Sequence, residues 1–336
     1  MWNIIGHHQA VTLLQRAIAT DQVKHAYLFT GPPGIGKLTL ASEFARALQC
    51  THPISLPESW DERPCGSCPA CRKIAHGSHQ DVLTILPEAG RRLIGIDAIR
   101  ELQREASRPP VEGHRRVFLL PNAEAMTLPS ANSLLKTLEE PASHTVLLLT
   151  AVDSQLVLPT ISSRCQHIPL HPVSAFHIRQ ALTARGIADD DATRLASFAC
   201  GRPGWALAAA QDSTLLRERR ELLDLLGRLP MMSRTQRFQA ASKFTTDTER
   251  LREVLDLWLV WWHDILLASA GCLDLVANGD QRDRLRDEVR CWDIATAEGF
   301  IRVLLRVTQE LDQNVNPRLA LEALMLDLPS ATVRSS

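Results

Sequence analysis

Gly31-Pro32-Pro33-Gly34-Ile35-Gly36-Lys37 follows the apolar run Ala26-Tyr27-Leu28-Phe29 and opens a stretch, 38–48, with helical spacing of its apolar residues. A G-x4-G-K string between a strand and a helix is a phosphate loop: its glycines let backbone N–H groups converge on phosphate oxygens, the helix N-terminus adds positive potential, and the lysine reaches the outer phosphates. Gly31, Gly34, Gly36, Lys37 and Thr39 form the candidate nucleotide-binding set, either still holding ATP without turnover or vestigial.

Along the chain, β-rich runs at 26–31, 81–86, 116–120, 145–150 and 166–170 alternate with helical patterns at 38–48, 96–107 and 131–140. Strands spaced by helices predict a parallel sheet covered on both faces. Asp97 reads as a helix N-cap, and Glu140-Pro141 as a helix end. Beyond Pro169 the pattern turns helical: about three short helices up to Gln211, with Ser174 as a cap and Gly201-Arg202-Pro203-Gly204 as punctuation, then helical spacing to the end. The expected division is an α/β domain over 1–170, a small helical domain over 171–211 and an all-helical domain over 212–336.

The loop lacks parts that hydrolysis needs. The residue after the lysine supplies a hydroxyl to magnesium in P-loop enzymes, and here it is Leu38. Thr39 is rotated by about 100° along the helix and does not simply replace it. The strand 116–120 runs into Pro121-Asn122 where an acidic pair is expected, and Glu124 reads as solvated surface. Thr150, at a strand end, is a weak candidate for a polar sensor.

Cys50, Cys65, Cys68 and Cys71 lie within one short insertion, the last three as C-x2-C-x2-C. Four thiolates at such spacing suit tetrahedral Zn²⁺ in a closed, structural site. Nearby Trp60-Asp61-Glu62-Arg63 is not basic, so stapling the insertion is favoured over a nucleic-acid role. The chain has 45% hydrophobic and 22% charged residues, with a formal net charge of -1. That balance is globular and gives no whole-molecule attraction to nucleic acid or anionic membranes. The first residues lack a secretory pattern, and the apolar stretch 255–267 is interrupted by Asp256, His263 and Asp264; a soluble, cytoplasmic protein without a membrane partner is expected.

The sequence resembles the clamp-loader ATPases of bacterial DNA polymerase III, which are AAA+ proteins. The resemblance is carried by His25-Ala26-Tyr27-Leu28-Phe29, the four-cysteine insertion, Asn132-Ser133-Leu134-Leu135-Lys136-Thr137-Leu138-Glu139-Glu140-Pro141 and Pro159-Thr160-Ile161-Ser162-Ser163-Arg164-Cys165. It implies an AAA+ domain with a helical lid and a C-terminal helical collar through which subunits oligomerise. It also implies partners: gamma/tau and delta subunits, and, through the complex, the sliding clamp and primed DNA. Arg164 matches an arginine that acts in trans on a neighbour's ATP, against the plainer reading of a surface ion pair. Gly204 falls where catalytic members carry a lid arginine. Together with Leu38 and Pro121-Asn122, this implies a member that does not turn over ATP itself. A self-sufficient gamma-type ATPase and a zinc-dependent nucleic-acid module are the alternatives. The stretch Trp258-Leu259-Val260-Trp261-Trp262, apolar on more than one helical face, is read as core in part and collar interface in part.

Overall fold

The computed structural model describes residues 2–52, 63–88, 90–245, 248–312 and 315–329. Trp60, Asp61 and Glu62 of the insertion lie outside them. The chain divides into two compact units, Met1–Ala181 with Gly201–Trp205, and Leu182–Cys200 with Ala206–Ser336.

In the first unit, β1 (Ala26–Thr30), β2 (Val82–Thr84), β3 (Arg116–Leu120), β4 (Thr145–Ala151) and β5 (Gln166–Pro169) form one sheet in the order β2-β3-β4-β1-β5. Every neighbouring pair is parallel. β3 and β4 are buried along their whole length and β1 at all but Thr30, as strands covered on both faces must be. Alternation divides their side chains between two cores. Tyr27, Phe29, Val117, Val146 and Leu148 pack with α1 (His8–Ala19) and α2 (Lys37–Gln49). Ala26, Leu28, Phe118, Leu147 and Leu149 pack with α4 (Ile96–Ala106) and α5 (Leu128–Glu139). Between them in sequence, α3 (Pro69–Ala75) belongs to the cysteine insertion, and the short α6 (Pro159–Ser162) precedes β5.

Two helix starts differ from expectation. Asp97 is not the cap of α4; Gly95 is, and Asp97 sits in the first turn, 3.2 Å from Arg100. Ile94 is pinned by backbone bonds to Ala125 and Thr127, which fixes where the helix can begin. α5 starts at Leu128 rather than 131, because Thr127 Oγ1 accepts from Ser130 N and Pro129 occupies the first turn. Its end falls as read: Glu140 is the C-cap, and Pro141 follows.

The remaining helices are α7 (Ala175–Thr183), α8 (Asp189–Phe198), α9 (Pro203–Gln211), α10 (Ser213–Arg228), α11 (Arg234–Ser242), α12 (Thr248–Ser269), α13 (Arg282–Val289), α14 (Ile294–Asp312) and α15 (Pro317–Asp327). In the second unit α12 is the central element. Trp258, Trp261 and Trp262 are at most 2% exposed within the single chain, and Trp262 packs on Trp292 and Phe300. The part of this stretch that is core therefore includes all three tryptophans, while Leu259 and Val260 are half-buried. No described helix is long and apolar enough to cross a membrane.

Candidate functional site

β1 delivers the chain to the phosphate loop at the C-terminal edge of the sheet, and α2 begins at Lys37, immediately after Gly36. Gly31, Gly34 and Gly36 all have positive φ (145°, 75° and 106°), a region that side chains with a Cβ resist. The loop therefore has the backbone that the sequence motif requires.

Lys37 and several carbonyls of the loop have partners within the chain. Lys37 is buried, and its Nζ donates to Gly31 O at 2.5 Å and Pro32 O at 3.1 Å. Burial lowers the lysine pKa, opposed by the Glu124 carboxylate. His7 Nε2 donates to Ile35 O at 3.0 Å, and Gly204 N donates to Gly34 O at 2.8 Å. A Cβ on Gly204 would stand 2.8 Å from Gly34 O, so the 201–205 turn sits on the loop at a distance only glycine allows.

The turns that follow β3 and β4 are likewise tied by polar contacts within the chain. Leu38 is 43% exposed, and Thr39 is exposed beside it. After β3, Asn122 takes a left-handed conformation, and its N–H donates to Thr150 Oγ1 at 3.1 Å. The hydroxyl at the end of β4 thus holds the turn that follows β3. Glu124 is not solvated surface, contrary to its sequence reading. Its Oε1 accepts from Val152 N at 3.1 Å, while Oε2 is buried without a hydrogen-bond partner. Val152 O in turn accepts from Gly31 N at 3.1 Å, which ties this carboxylate to the start of the phosphate loop. A 3-10 turn over Ala123–Ala125 folds Glu124 back, and its sequence carries no periodic signal for that turn.

Arg164 follows α6. Its Nη2 donates to Glu139 Oε1 at 2.7 Å and its Nη1 to Thr160 O at 2.9 Å, with the side chain 37% exposed. In the single chain it makes the surface ion pair that the plainer reading anticipated. The neighbouring Cys165 thiol is pushed up to about 12 by burial, so it is inert beside the arginine.

The four insertion cysteines converge. All four sulfurs lie within 4.8 Å of one another, with Cys50 and Cys71 buried and Cys65 and Cys68 half-buried. Cys50 Sγ and Cys68 Sγ are 4.0 Å apart; a tetrahedral thiolate site with metal–sulfur bonds of about 2.3 Å places sulfurs about 3.8 Å apart. Cys68 N donates to Cys65 Sγ at 3.3 Å, and Cys71 N to Cys68 Sγ at 3.4 Å, the pattern in which C-x2-C turns present two sulfurs to one ion. Burial alone raises the Cys65 pKa, but bonds donated by Ser67 and Cys68 outweigh it and bring the thiol down to about 5. The cluster can hold a metal ion, and its donor set fits zinc.

Two buried anchors escape the sequence reading. Gln49, the residue before Cys50, accepts with Oε1 from His114 N at 2.9 Å and donates to Arg115 O. Asp81 accepts from Val111 N, Glu112 N and Gly113 N at 2.7–2.8 Å, and Glu112 pairs with Lys73 of α3. The loop before β3 is thereby clamped to the end of α2, the start of β2 and the cysteine insertion. Neither residue stands in a motif, and only the fold brings their partners within reach.

A parallel sheet in this order, with a phosphate loop between β1 and α2 and a helical C-terminal part, is a P-loop α/β protein of the AAA+ class. The chain belongs to the family described as DNA polymerase III, delta subunit, whose sequence profile matches residues 6–174. The DNA polymerase III subunit delta' of Bacillus subtilis (strain 168) is 28% identical over 323 residues, 95% of each chain. The subunit of the same name from Pseudomonas aeruginosa is 42% identical over 156 residues, 46% of each chain. DNA polymerase III subunit tau of B. subtilis is 32% identical over 184 residues, 54% of this chain and 30% of that one.

Proposed function

We propose that the chain is a delta prime-type subunit of the DNA polymerase III clamp loader that does not hydrolyse ATP and that supplies Arg164 to ATP held by an adjacent subunit. The observation that carries the first half is the absence of both magnesium-binding elements: Leu38 takes the hydroxyl position, and Pro121-Asn122 takes that of the acidic pair. Gly31, Gly34, Gly36, Lys37 and Thr39 are then a nucleotide site in outline, with turnover excluded whether or not nucleotide enters.

The second half follows from chemistry. A guanidinium stays charged at all working pH, is planar, and stabilises the charge that develops on a transferring phosphoryl group. Arg164 stands on a half-exposed turn, where a neighbour's phosphate can reach it. Its partners in this reading are gamma/tau and delta subunits, with the sliding clamp and primed DNA engaged through the complex, in the cytoplasm. Cys50, Cys65, Cys68 and Cys71 hold one structural Zn²⁺, which supplies no chemistry beyond fastening the insertion to α2. The functional division is an AAA+ domain over 1–170, a lid over 171–211 and a collar over 212–336.

The test is steady-state ATPase of the purified chain, with and without primed DNA. Rates at background support the reading, whereas sustained turnover by the lone chain identifies a self-sufficient ATPase.

A further inference from the structure

We propose that Glu139 is a positioning residue that parks the Arg164 guanidinium within its own chain and surrenders it when a neighbour's nucleotide phosphates arrive. The inference rests on the trans-arginine reading above and concerns how that arginine is kept ready.

Glu139 is the last residue of α5, Glu140 is its cap, and Pro141 ends it. Two carboxylates therefore stand at a helix C-terminus, the negative end of the peptide dipole, where anions are disfavoured and cations are favoured. A cation brought there is held by the carboxylate and by the dipole together. The one beside Glu139 is Arg164, at 2.7 Å through a single Nη2–Oε1 contact. The other terminal nitrogen is steadied by Thr160 O at 2.9 Å, four residues back in the same turn. Of the five N–H donors of a guanidinium, these contacts use two and leave others to an incoming anion.

The strength of the hold decides its role. Glu139 is 50% exposed and Arg164 37%, so the pair is screened by water and salt. An exposed pair of this kind shifts a two-state equilibrium by about 1.4- to 5-fold. A trans arginine contributes roughly 10³- to 10⁵-fold in rate where it has been removed from phosphoryl-transfer sites. The parked state thus biases the arginine only mildly, and its hold is small beside the stabilisation that a freed guanidinium gives a transferring phosphoryl group. Glu139 also repels the phosphates as they approach, so the carboxylate and the guanidinium separate in concert with docking.

The test uses the assembled complex. Wild-type chain, Glu139→Gln, Arg164→Ala and the double variant are titrated into a fixed amount of the ATPase subunits, and DNA-dependent ATP hydrolysis is followed. Glu139→Gln is expected to lower the half-saturating concentration of the chain by about 1.4- to 5-fold at low salt, with the gain vanishing at high ionic strength and in the Arg164→Ala background. A Glu139→Gln change that is absent, opposite in sign, or equal in the Arg164→Ala background overturns the parking role while leaving the trans arginine standing. An Arg164→Ala complex with unchanged rates overturns both.

Discussion

Gly204 N–H donates to Gly34 O across 2.8 Å, and a methyl group on Gly204 would stand 2.8 Å from that same oxygen. Position 204, where the resemblance places a lid arginine in catalytic members, admits only glycine because the 201–205 turn rests directly on the phosphate loop. An arginine there is expected to give no ATPase. Gly204→Arg is expected to destabilise the chain by roughly 1–3 kcal/mol, the usual cost of forcing atoms into a packed contact, and to leave ATP hydrolysis at background. Urea denaturation and a coupled ATPase assay on one preparation check both halves.

Metal removal is a second test. The four sulfurs bring α3 against the C-terminal end of α2, where Cys71 Sγ lies 4.0 Å from Arg46 O. The purified chain is expected to contain one zinc per chain by elemental analysis. Chelation, or Cys71→Ser, is expected to lower the melting temperature by several degrees and to expose the insertion to proteolysis, because metal-binding free energy is folding free energy at such sites. A chain free of metal with unchanged melting contradicts the assignment.

Asp81 gives a pH dependence with a definite sign. Burial raises its pKa, but three backbone N–H donors and the Arg116 guanidinium outweigh burial, and the net shift is downward. A carboxyl depressed in the folded state adds stability above its ordinary value of about 3.8, and that stability is lost as pH falls below this value through the folded pKa. Asp81→Asn is expected to cost about 1.5–3 kcal/mol at neutral pH, the worth of hydrogen bonds to a charged group. The difference between variant and wild type should shrink on acidification below about pH 4. Melting curves across pH 2–7 test this.

In the second unit Arg237 is buried and donates to five carbonyls: Leu229, Pro230, Met232, Met325 and Leu328. It joins the end of α15 to the turn after α10. Arg237→Ala is expected to destabilise by roughly 3 kcal/mol, since each unsatisfied buried group costs about 1–3 kcal/mol. A change within 0.5 kcal/mol by denaturation, typical of surface positions, would show that the carbonyls find other donors.

The sheet was legible because its three central strands are apolar runs of ordinary length, and the phosphate loop because of its glycine spacing before Lys37. Helix starts were less legible. Thr127-Leu128-Pro129 carries a cap and a first-turn proline, and reading them would have placed the start of α5 correctly. Nothing local marks Gly95 as a cap, because the pairing of Ile94 with the 125–127 segment decides it. Gln49, Asp81 and Glu124 were out of reach for the same reason: each is defined by backbone groups about 30 or more residues away, which only the folded sheet brings together. The tryptophans of α12 show the converse limit. Their spacing reveals a helix apolar on more than one face, and burial within one chain or between chains gives the same sequence signal.

The central claim is that Arg164 serves a neighbour's ATP while its own chain's loop is inert. It is tested most directly by assembling the clamp-loader complex with Arg164→Ala and measuring ATP hydrolysis stimulated by primed DNA. The account expects the contribution of the adjacent ATPase site to fall by roughly 10³-fold or more, the lower bound for such arginines, with assembly intact by size-exclusion chromatography. An intact complex that hydrolyses ATP at the wild-type rate would contradict it.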